Sequence, residues 1–427
     1  MVLKRISPSQ VELGMYIHSF QGSWFSHPFW RGKFLVEDEE RRDTLRSSGL
    51  DALLIDTERG RDLAPKPEQT VIAPSAPKPS AAERLRQRAR TPAAPAPLMR
   101  SGTASPTASG PAPIAREFGN ARLVAGRARK VISRIFLEAR LGKAPRVAEV
   151  APVVEDIHAS IQRNPYAFSG LMRCKADCEA VYQHMLSTSA LMVSLARQMR
   201  LPPSETRLAG MAGLLLDVGI GRVDIDLAGI AGKDTTADAE LRGRHCIVGR
   251  ETLGAAGDVP EEVLQVVTRH HEMLDGSGFP QGLVAQDIDV FSRMAAICDS
   301  YDLLVAGAVT GEQEDPATAM AMLMEMEGAL DPLILAPFRE ALGVYPVGSF
   351  VRLRSERIAM VIDQDASDPA LPTVRAFYSL QTGKHIRAQT IALAHCYGED
   401  AIEGVADLAS LDLPPPEEMR ERLMKAA

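Results

Sequence analysis

The sequence predicts a mainly α-helical fold that carries a small N-terminal β-containing domain and a short C-terminal β appendage. Residues 114–345 show almost no strand-like alternation, and two of their stretches, Arg122–Leu141 and Val181–Met199, have the pattern of amphipathic helices. Short strand-like segments bounded by turn residues occur only before residue 64 and after Tyr345. The predicted fold therefore has helices in the middle and strands at both ends.

The first predicted domain comprises residues 1–63. Val11–Ile17 and Leu53–Ile55 have the pattern of short strands. The segment SWFSHPFW, Ser23–Trp30, contains both tryptophans of the chain. Aromatic clusters in small domains usually form the core, so we expect this one to be buried; the alternative is an exposed platform for a protein partner.

Residues 64–113 are predicted to be a disordered linker. Eleven of these 50 residues are proline and twelve are alanine, with seven basic and two acidic side chains. Such a composition buries too little apolar surface to offset the entropy cost of ordering the chain. The basic stretch Arg84–Arg90 keeps the linker solvated or, alternatively, touches an anionic surface.

The helical domain is predicted at residues 114–345. Its second amphipathic helix places the following residues on one face, at 3- and 4-residue steps: Val181, Met185, Thr188, Met192 and Leu195. Residues 346–427 are predicted to form a β appendage that ends in an acidic helix, Pro416–Met424.

The composition limits the classes of function. The chain has 427 residues, of which 45% are apolar and 24% charged, and a net charge of -7; these values are ordinary for a globular protein and argue against DNA binding. No apolar run approaches the roughly 18 residues needed to cross a bilayer, and no signal peptide is evident, so we expect a cytoplasmic protein. Cys174 and Cys178 are one helical turn apart, a spacing that suits a weak metal pair, although packing is the favoured explanation.

The block His270–Leu283 has the composition of a metal and phosphate site. It reads HHEMLDGSGFPQGL, which is two adjacent imidazoles and a carboxylate followed by a glycine-rich turn. Two bulky polar rings in succession cannot both face an apolar core, and the glutamate that follows adds to the cost of burial. We therefore expect these side chains to bind a cation.

Carboxylates interrupt two apolar stretches of the same domain. Asp217 lies within AGLLLDVGI and Asp299 within AAICDSYDLL, where a charged group is costly unless a cation pairs with it. His184 and His245 lie on other predicted helices, and a lone histidine there is more often a structural residue than a ligand. Together, four imidazoles and two carboxylates suit Fe, Mn, Zn or a similar divalent metal, and two metals would support hydrolysis of a phosphate ester.

The block HHEMLDGSGFPQGL resembles the signature of HD-GYP domains, HHE..DGSGYP.GL. HD-GYP proteins are bacterial phosphodiesterases that hydrolyse cyclic di-GMP at a centre of two or three metals. The resemblance, which covers about residues 150–345, implies an HD-type helical bundle, a divalent-metal cofactor, and cyclic di-GMP or a related nucleotide as ligand. It implies Asp217 as the catalytic acid that bridges metals. The implied metal ligands are His184, Asp217, His245, His270, His271 and Asp299.

Two surfaces are implied as contacts for a partner. The loop after the paired histidines would touch substrate or a protein partner through Asp275, Gly276, Gly278, Phe279 and Pro280. The corresponding loop of HD-GYP proteins resembles a docking surface for other cyclic di-GMP enzymes. In this chain Phe279 would present an exposed aromatic ring at that surface. The N-terminal domain, which resembles a small domain often fused ahead of HD-GYP, is the other such surface.

The chain departs from the HD-GYP pattern at positions that bear on activity. Where the family has LLHDIGK, Leu216 replaces a metal-ligating histidine and Ile220 replaces a lysine that contacts phosphate. Ala308 and Thr310 replace an arginine and a tyrosine, and Phe279 replaces the tyrosine of GYP. Losing two cationic contacts and a metal ligand should lower turnover by several orders of magnitude.

These departures predict one well-formed metal site and one weakened site. The complete set comprises Asp217, His245, His270 and His271. The set of His184, Asp217 and Asp299 lacks one imidazole. We expect a signalling protein with impaired or lost hydrolysis, and the alternative is an active phosphodiesterase that yields linear pGpG and GMP. A third hypothesis, that packing alone retains these residues, also stays open at this stage.

Overall fold

A computed structural model of the chain is mainly helical, as the sequence predicts. The structure describes residues 3–21, 34–36, 38–47, 52–57, 59–61, 112–143, 145–174, 179–223, 225–231, 236–326, 328–365, 368–396 and 398–425. The chain forms two compact units, Met1–Ala108 and Ser109–Ala427. The aromatic segment Ser23–Trp30 and the predicted linker up to residue 111 lie outside the described residues, so their burial and disorder stay predictions.

In its described residues, the first unit is a four-stranded antiparallel sheet with one α-helix. The strands are arranged in the order β1-β4-β2-β3. The elements are β1 (Leu3–Ile6), β2 (Tyr16–Gln21), β3 (Phe34–Leu35), α1 (Glu39–Ser47) and β4 (Ala52–Asp56). The strand predicted at Leu53–Ile55 is confirmed, because it lies within β4.

The predicted strand Val11–Ile17 is wrong in its bounds. The strand begins at Tyr16, and Gly14, at φ +83°, turns the chain just before it. Val11 and Met15 are nonetheless fully buried in the core of this unit. Burial of alternate residues in a turn and a short loop therefore gave the pattern of a strand.

The second unit contains the helices that position the candidate site. Those of its described residues are α2 (Ile114–Arg140), α3 (Val150–Arg163), α4 (Ala167–Met172), α5 (Ala180–Gln198), α6 (Pro203–Leu215), α7 (Leu227–Ala231), α8 (Thr236–Gly254), α9 (Glu261–Arg269), α10 (Val290–Ala306), α11 (Pro316–Met324), α12 (Pro332–Leu342) and α13 (Pro416–Lys425). No helix among them is long and apolar enough to span a bilayer.

The two long helices are confirmed, with shifted ends, but only the first of them is amphipathic. The predicted helix Arg122–Leu141 starts eight residues earlier, at Ile114, directly after the N-cap residue Pro113. The helix predicted at Val181–Met199 is α5, which packs against α6 and α10 at the centre of the bundle. Thirteen of its 19 residues are buried, so it is enclosed rather than amphipathic.

The predicted C-terminal strands form a five-stranded antiparallel sheet. Its order is β8-β7-β6-β5-β9. The strands are β5 (Phe350–Leu353), β6 (Arg357–Asp363), β7 (Thr373–Ser379), β8 (Lys384–Ala392) and β9 (Ile402–Val405). The sheet belongs to the same compact unit as the helices: the Phe350 amide donates to Asp315 Oδ2 at 2.9 Å, and Arg420 Nε donates to the Gly348 carbonyl at 2.9 Å. The predicted acidic helix at the C-terminus is confirmed as α13.

Candidate metal centre

Seven buried side chains from five helices or helix ends converge in the bundle, and the six predicted metal ligands are among them. His184 is on α5, His245 on α8 and Asp299 on α10, while Asp217 lies two residues after the end of α6. The adjacent His270 and His271 directly follow α9. The donor atoms fall into two groups, which we call the first cluster (His245, Cys246, His270 and His271) and the second cluster (His184, Asp217 and Asp299).

The first cluster brings two imidazole nitrogens together with their lone pairs facing each other. His245 Nε2 lies 3.4 Å from His270 Nε2. The opposite nitrogens donate to backbone carbonyls, His270 Nδ1 to Val267 at 3.1 Å and His245 Nδ1 to Arg242. In the neutral rings both Nε2 atoms therefore carry lone pairs, which is how second-shell carbonyls orient metal-binding imidazoles.

Asp217 lies between the two clusters. Its Oδ1 is 3.4 Å from His245 Nε2 and 3.5 Å from His270 Nε2, and its Oδ2 is 3.3 Å from His184 Nε2. Burial raises the pKa of this carboxyl, but the influence of the three imidazoles that face it outweighs burial and holds the pKa well below its usual range. Oδ1 is buried and has no hydrogen-bond partner among the described residues. An ionised carboxylate with an orphaned buried oxygen fits a bound cation.

The second cluster is held by a chain of buried polar groups. His184 Nε2 lies 2.8 Å from Asp299 Oδ1, and His184 Nδ1 lies 2.9 Å from Asp302 Oδ2. Asp302 Oδ1 in turn accepts from Arg173 Nη1 at 2.8 Å and from the Ser187 hydroxyl. Burial lowers the pKa of His184, but the three carboxylates that it faces outweigh burial and raise the pKa well above its ordinary value. Asp302 and Arg173 therefore orient His184.

His271 joins the two clusters. Its Nδ1 lies 3.3 Å from Asp299 Oδ2, and its Nε2 is a buried atom without a hydrogen-bond partner in the described part of the chain. Burial, together with the nearby His270 and His245, holds the pKa of His271 well below its usual range. A neutral imidazole with an unpaired buried nitrogen is available as a metal ligand.

Glu272 shapes the loop after the paired histidines, a role that the sequence did not suggest. Its buried carboxylate accepts from the amides of Gln281 at 2.7 Å and Leu283 at 2.8 Å. Asp275 is exposed and accepts from the Ser277 amide and hydroxyl, so it shapes the turn and does not point at either cluster. The glutamate of the HHE block therefore anchors the loop. The cost of burying a glutamate next to two histidines was the signal in the sequence that could have indicated a specific role.

Phe279 packs on one of the candidate metal ligands. Its ring centroid lies 4.5 Å from that of His271, and the Arg242 guanidinium carbon lies 5.6 Å from the Phe279 centroid. The following peptide bond to Pro280 is cis. The expected exposed aromatic ring is thus only partly exposed, because it packs on an imidazole.

Gly278 allows the loop to approach the histidines closely. A Cβ at this position would lie 2.4 Å from the His271 carbonyl oxygen and 2.4 Å from the Met273 amide nitrogen. Both atoms belong to the backbone, so they cannot move aside independently. Gly276, at φ +79°, supplies the left-handed residue of the turn.

Gly278→Ala is expected to lower the free energy of unfolding by about 2 kcal/mol, because the backbone of the loop must shift. Urea unfolding of the purified protein measures this change. Gly254→Ala is the matched control: no atom lies within 4 Å of its Cβ, so the substitution should stabilise the protein by about 0.5 kcal/mol or leave it unchanged. Equal effects of the two substitutions would contradict the close approach.

Three of the replaced positions hold apolar side chains that pack against their surroundings. Leu216 is fully buried, and Ile220 and Ala308 pack against a cluster that includes Leu227. Ile220 and Ala308 also line a cavity of about 550 Å³, whose charged lining residues are Arg140, Glu179 and Asp226. The cavity wall therefore carries more acidic than basic groups where two cations were expected. Thr310, by contrast, is exposed, and its hydroxyl donates to the Glu312 carbonyl.

A second cavity, of about 280 Å³, reaches His184 and Asp302 from another side. The buried guanidinium groups of Arg173 and Arg420 line it. Neither arginine was singled out in the sequence. Both lie far along the chain from the HHE block, so only the fold brings them to the site.

Comparison with known proteins assigns the family. Residues 171–334 match the HD domain, and residues 3–150 match a domain of unknown function (DUF3391). The cyclic di-GMP phosphodiesterase PA4108 of Pseudomonas aeruginosa is 33% identical over 426 residues, which is 100% of this chain and 97% of that protein. The chain belongs to the HD-GYP family. The resemblance drawn from the sequence is thereby confirmed.

More distant relatives match parts of this HD-GYP protein. The cyclic di-GMP phosphodiesterase response regulator RpfG of Xanthomonas campestris is 32% identical over 140 residues, or 32% of this chain and 37% of that protein. Among solved structures, the HDG"Y"P protein Bd1817 of Bdellovibrio bacteriovorus matches with a TM-score of 0.47 and 16% identity, covering 80% of this chain and 99% of that one.

Proposed function

We propose that this HD-GYP protein binds metal and cyclic di-GMP in the cytoplasm and hydrolyses the nucleotide slowly or not at all. The observation that supports impaired hydrolysis is the replacement of charged and ligating groups by packed apolar ones. Leu216 is enclosed beside Asp217 and offers no lone pair to the second cluster. The second cluster then has one imidazole and two carboxylates, whereas the first has three imidazoles.

Electrostatics in the larger cavity act in the same direction. A cyclic dinucleotide carries two phosphodiester charges, and their transfer from water requires cationic or hydrogen-bonding partners. Ile220 and Ala308 supply neither, and the cavity is lined by two acidic residues, Glu179 and Asp226, against one basic residue, Arg140. The wall of this cavity therefore disfavours the phosphate charge that builds up during hydrolysis.

The chain retains the residues of a phosphodiesterase site that would bind the metal ions and orient the ligands. Divalent ions at such a centre act as Lewis acids and lower the pKa of water. Asp217, in its ionised form, directs one oxygen to each cluster. Phe279 shields His271, and we assign its loop to the substrate side of the site for that reason.

A turnover assay tests the proposal. Purified full-length protein, supplied with Mn²⁺, Fe²⁺ or Zn²⁺ in separate samples, is incubated with cyclic di-GMP, and linear pGpG and GMP are quantified. Binding of the nucleotide is measured in parallel by calorimetry. We expect binding with little product. Turnover as fast as that of the Pseudomonas relative assayed side by side would contradict the impaired function.

An active phosphodiesterase is the second candidate, and one observation favours it. Arg173 and Arg420 line a cavity that reaches His184, so phosphate charge has cationic groups within this second cavity. The full-length relative is also called a phosphodiesterase. Rapid formation of pGpG by the wild-type protein would select this function.

A further inference from the structure

Cys246 lies among the histidines of the first cluster. It follows His245 on α8, is completely buried, and has its Sγ 3.4 Å from His245 Nε2. One donor atom from each of His245, Cys246, His270 and His271 lies within 4.8 Å of each of the others. No motif in the sequence marks this cysteine as a ligand.

The distances suit a single ion. In a tetrahedral zinc site, bonds of about 2.0–2.1 Å to nitrogen and about 2.3 Å to sulfur place neighbouring donors roughly 3.3–3.8 Å apart. The two distances from His245 Nε2, to His270 Nε2 and to Cys246 Sγ, are both 3.4 Å. The remaining donor pairs, at up to 4.8 Å, need only small side-chain rotations to close around an ion.

The surroundings of Cys246 differ from those of the other described cysteines. The thiol of Cys174 lies 3.6 Å from the Gly170 carbonyl, and that of Cys396 lies 3.2 Å from the Leu393 carbonyl. Cys298 is equally buried and precedes Asp299, yet its sulfur belongs to neither cluster. Within the described residues, only Cys246 has its sulfur placed against imidazole nitrogens that bear lone pairs.

We propose that Cys246 is the fourth ligand of the first cluster, so that His245, Cys246, His270 and His271 form a closed site for a thiophilic divalent cation such as zinc. The inference rests on the proposed metal centre and specifies one of its sites. The thiol proton leaves to solvent as the metal–sulfur bond forms, and no electron transfer is involved. Thiolate and imidazole together favour Zn²⁺ over Mn²⁺.

A closed first cluster has a consequence for the chemistry. Four protein ligands, with Asp217 Oδ1 also 3.4 Å from His245 Nε2, leave no position for water, which is the property of structural rather than catalytic zinc sites. Any hydrolysis would then depend on the second cluster, which is the one next to Leu216. A closed first cluster is therefore a further reason to expect little hydrolysis.

Cobalt spectroscopy tests the ligand directly. The protein is stripped with a chelator, loaded with Co²⁺, and its near-ultraviolet thiolate-to-cobalt charge-transfer absorption is recorded. Wild type and Cys298→Ser, the matched control for loss of a buried thiol, should both show the band. Cys246→Ser should lose the band, and its affinity for Zn²⁺ should fall by about 100-fold while that for Mn²⁺ changes far less.

A second variant guards against misfolding of Cys246→Ser. Replacing Cys174, Cys178, Cys298 and Cys396 by alanine leaves Cys246 as the single thiol, and the band should persist. Two outcomes would overturn the assignment of Cys246 as a ligand but leave the metal centre in place. In the first, cobalt binds to the wild type without giving the band; in the second, the band survives in Cys246→Ser. Absence of any cobalt binding would overturn the metal centre of the proposed function as well.

Discussion

Leu216→His combined with Ile220→Lys is expected to raise cyclic di-GMP turnover by about 1000-fold, equivalent to about 4 kcal/mol of transition-state stabilisation. Leu216 directly precedes Asp217, so an imidazole there would supply the nitrogen that the second cluster lacks. Ile220 lines the 550 Å³ cavity, so a lysine there would place an ammonium group against substrate phosphate. Each replaced group acts on charge that develops during hydrolysis, which is why the gain should be large.

The restored histidine also makes stability depend on metal. Leu216 is fully buried, and an imidazole without a partner in its place should cost about 2–3 kcal/mol in the metal-free protein. Metal binding should recover this loss, because a ligand that binds only the folded state stabilises it. Thermal melting with chelator and with Mn²⁺ or Zn²⁺ measures both states.

Single variants separate the two contributions. Ile220→Lys alone should change turnover little, because the second cluster still lacks a ligand. Leu216→Met, a swap of similar volume, should change neither turnover nor the metal dependence of melting. If the double variant gains no activity but melts normally, the apolar wall at Ala308 or the closed first cluster limits catalysis. Adding Cys246→Ala to the double variant distinguishes these two causes.

The buried carboxylate was predictable from the sequence because its environment made it costly. Asp217 interrupts an apolar run, and it is indeed 1% exposed with an orphaned oxygen. Asp299 was found by the same argument. Its neighbour Asp302, three residues later on the same face of α10, was not identified as a partner of His184. The three-residue spacing indicated that Asp299 and Asp302 share a face of α10, but the contact of Asp302 with His184 depends on how α5 and α10 cross.

Cys246 shows why other parts could not be predicted. Adjacent residues on a helix point about 100° apart, so spacing alone does not suggest that His245 and Cys246 share an ion. The end of α9 places two histidines opposite both of them, and that placement is tertiary. The exposure of Phe279 could not be predicted for the same reason, because it depends on the tertiary contact between its ring and an imidazole. Propensity and periodicity describe elements, whereas these contacts arise from how the elements cross.

Arg173→Met is expected to lower the free energy of unfolding by about 3–5 kcal/mol and to weaken metal binding at the second cluster by about 10- to 100-fold. The Arg173–Asp302 pair is 2.8 Å long, and its side chains are only 6% and 4% exposed. Removing the guanidinium leaves Asp302 as a buried charge that His184 and Ser187 must compensate. Burial raises the pKa of Asp302, and the charge of Arg173 is the largest influence that lowers it. In Arg173→Met the ionised Asp302 carboxylate would therefore lose its main source of stabilisation.

The effect on metal binding separates positioning from mere stability. Asp302 holds His184 through Nδ1, so a change in the charge or place of Asp302 alters the basicity and direction of His184 Nε2. Metal titration monitored by calorimetry should therefore show a weaker second site and an unchanged first site. Arg207→Met is the matched control, since the Arg207–Glu155 pair is 48% and 51% exposed and should contribute little to stability. A large loss of stability with both metal affinities intact would mean that Arg173 supports the fold without orienting His184.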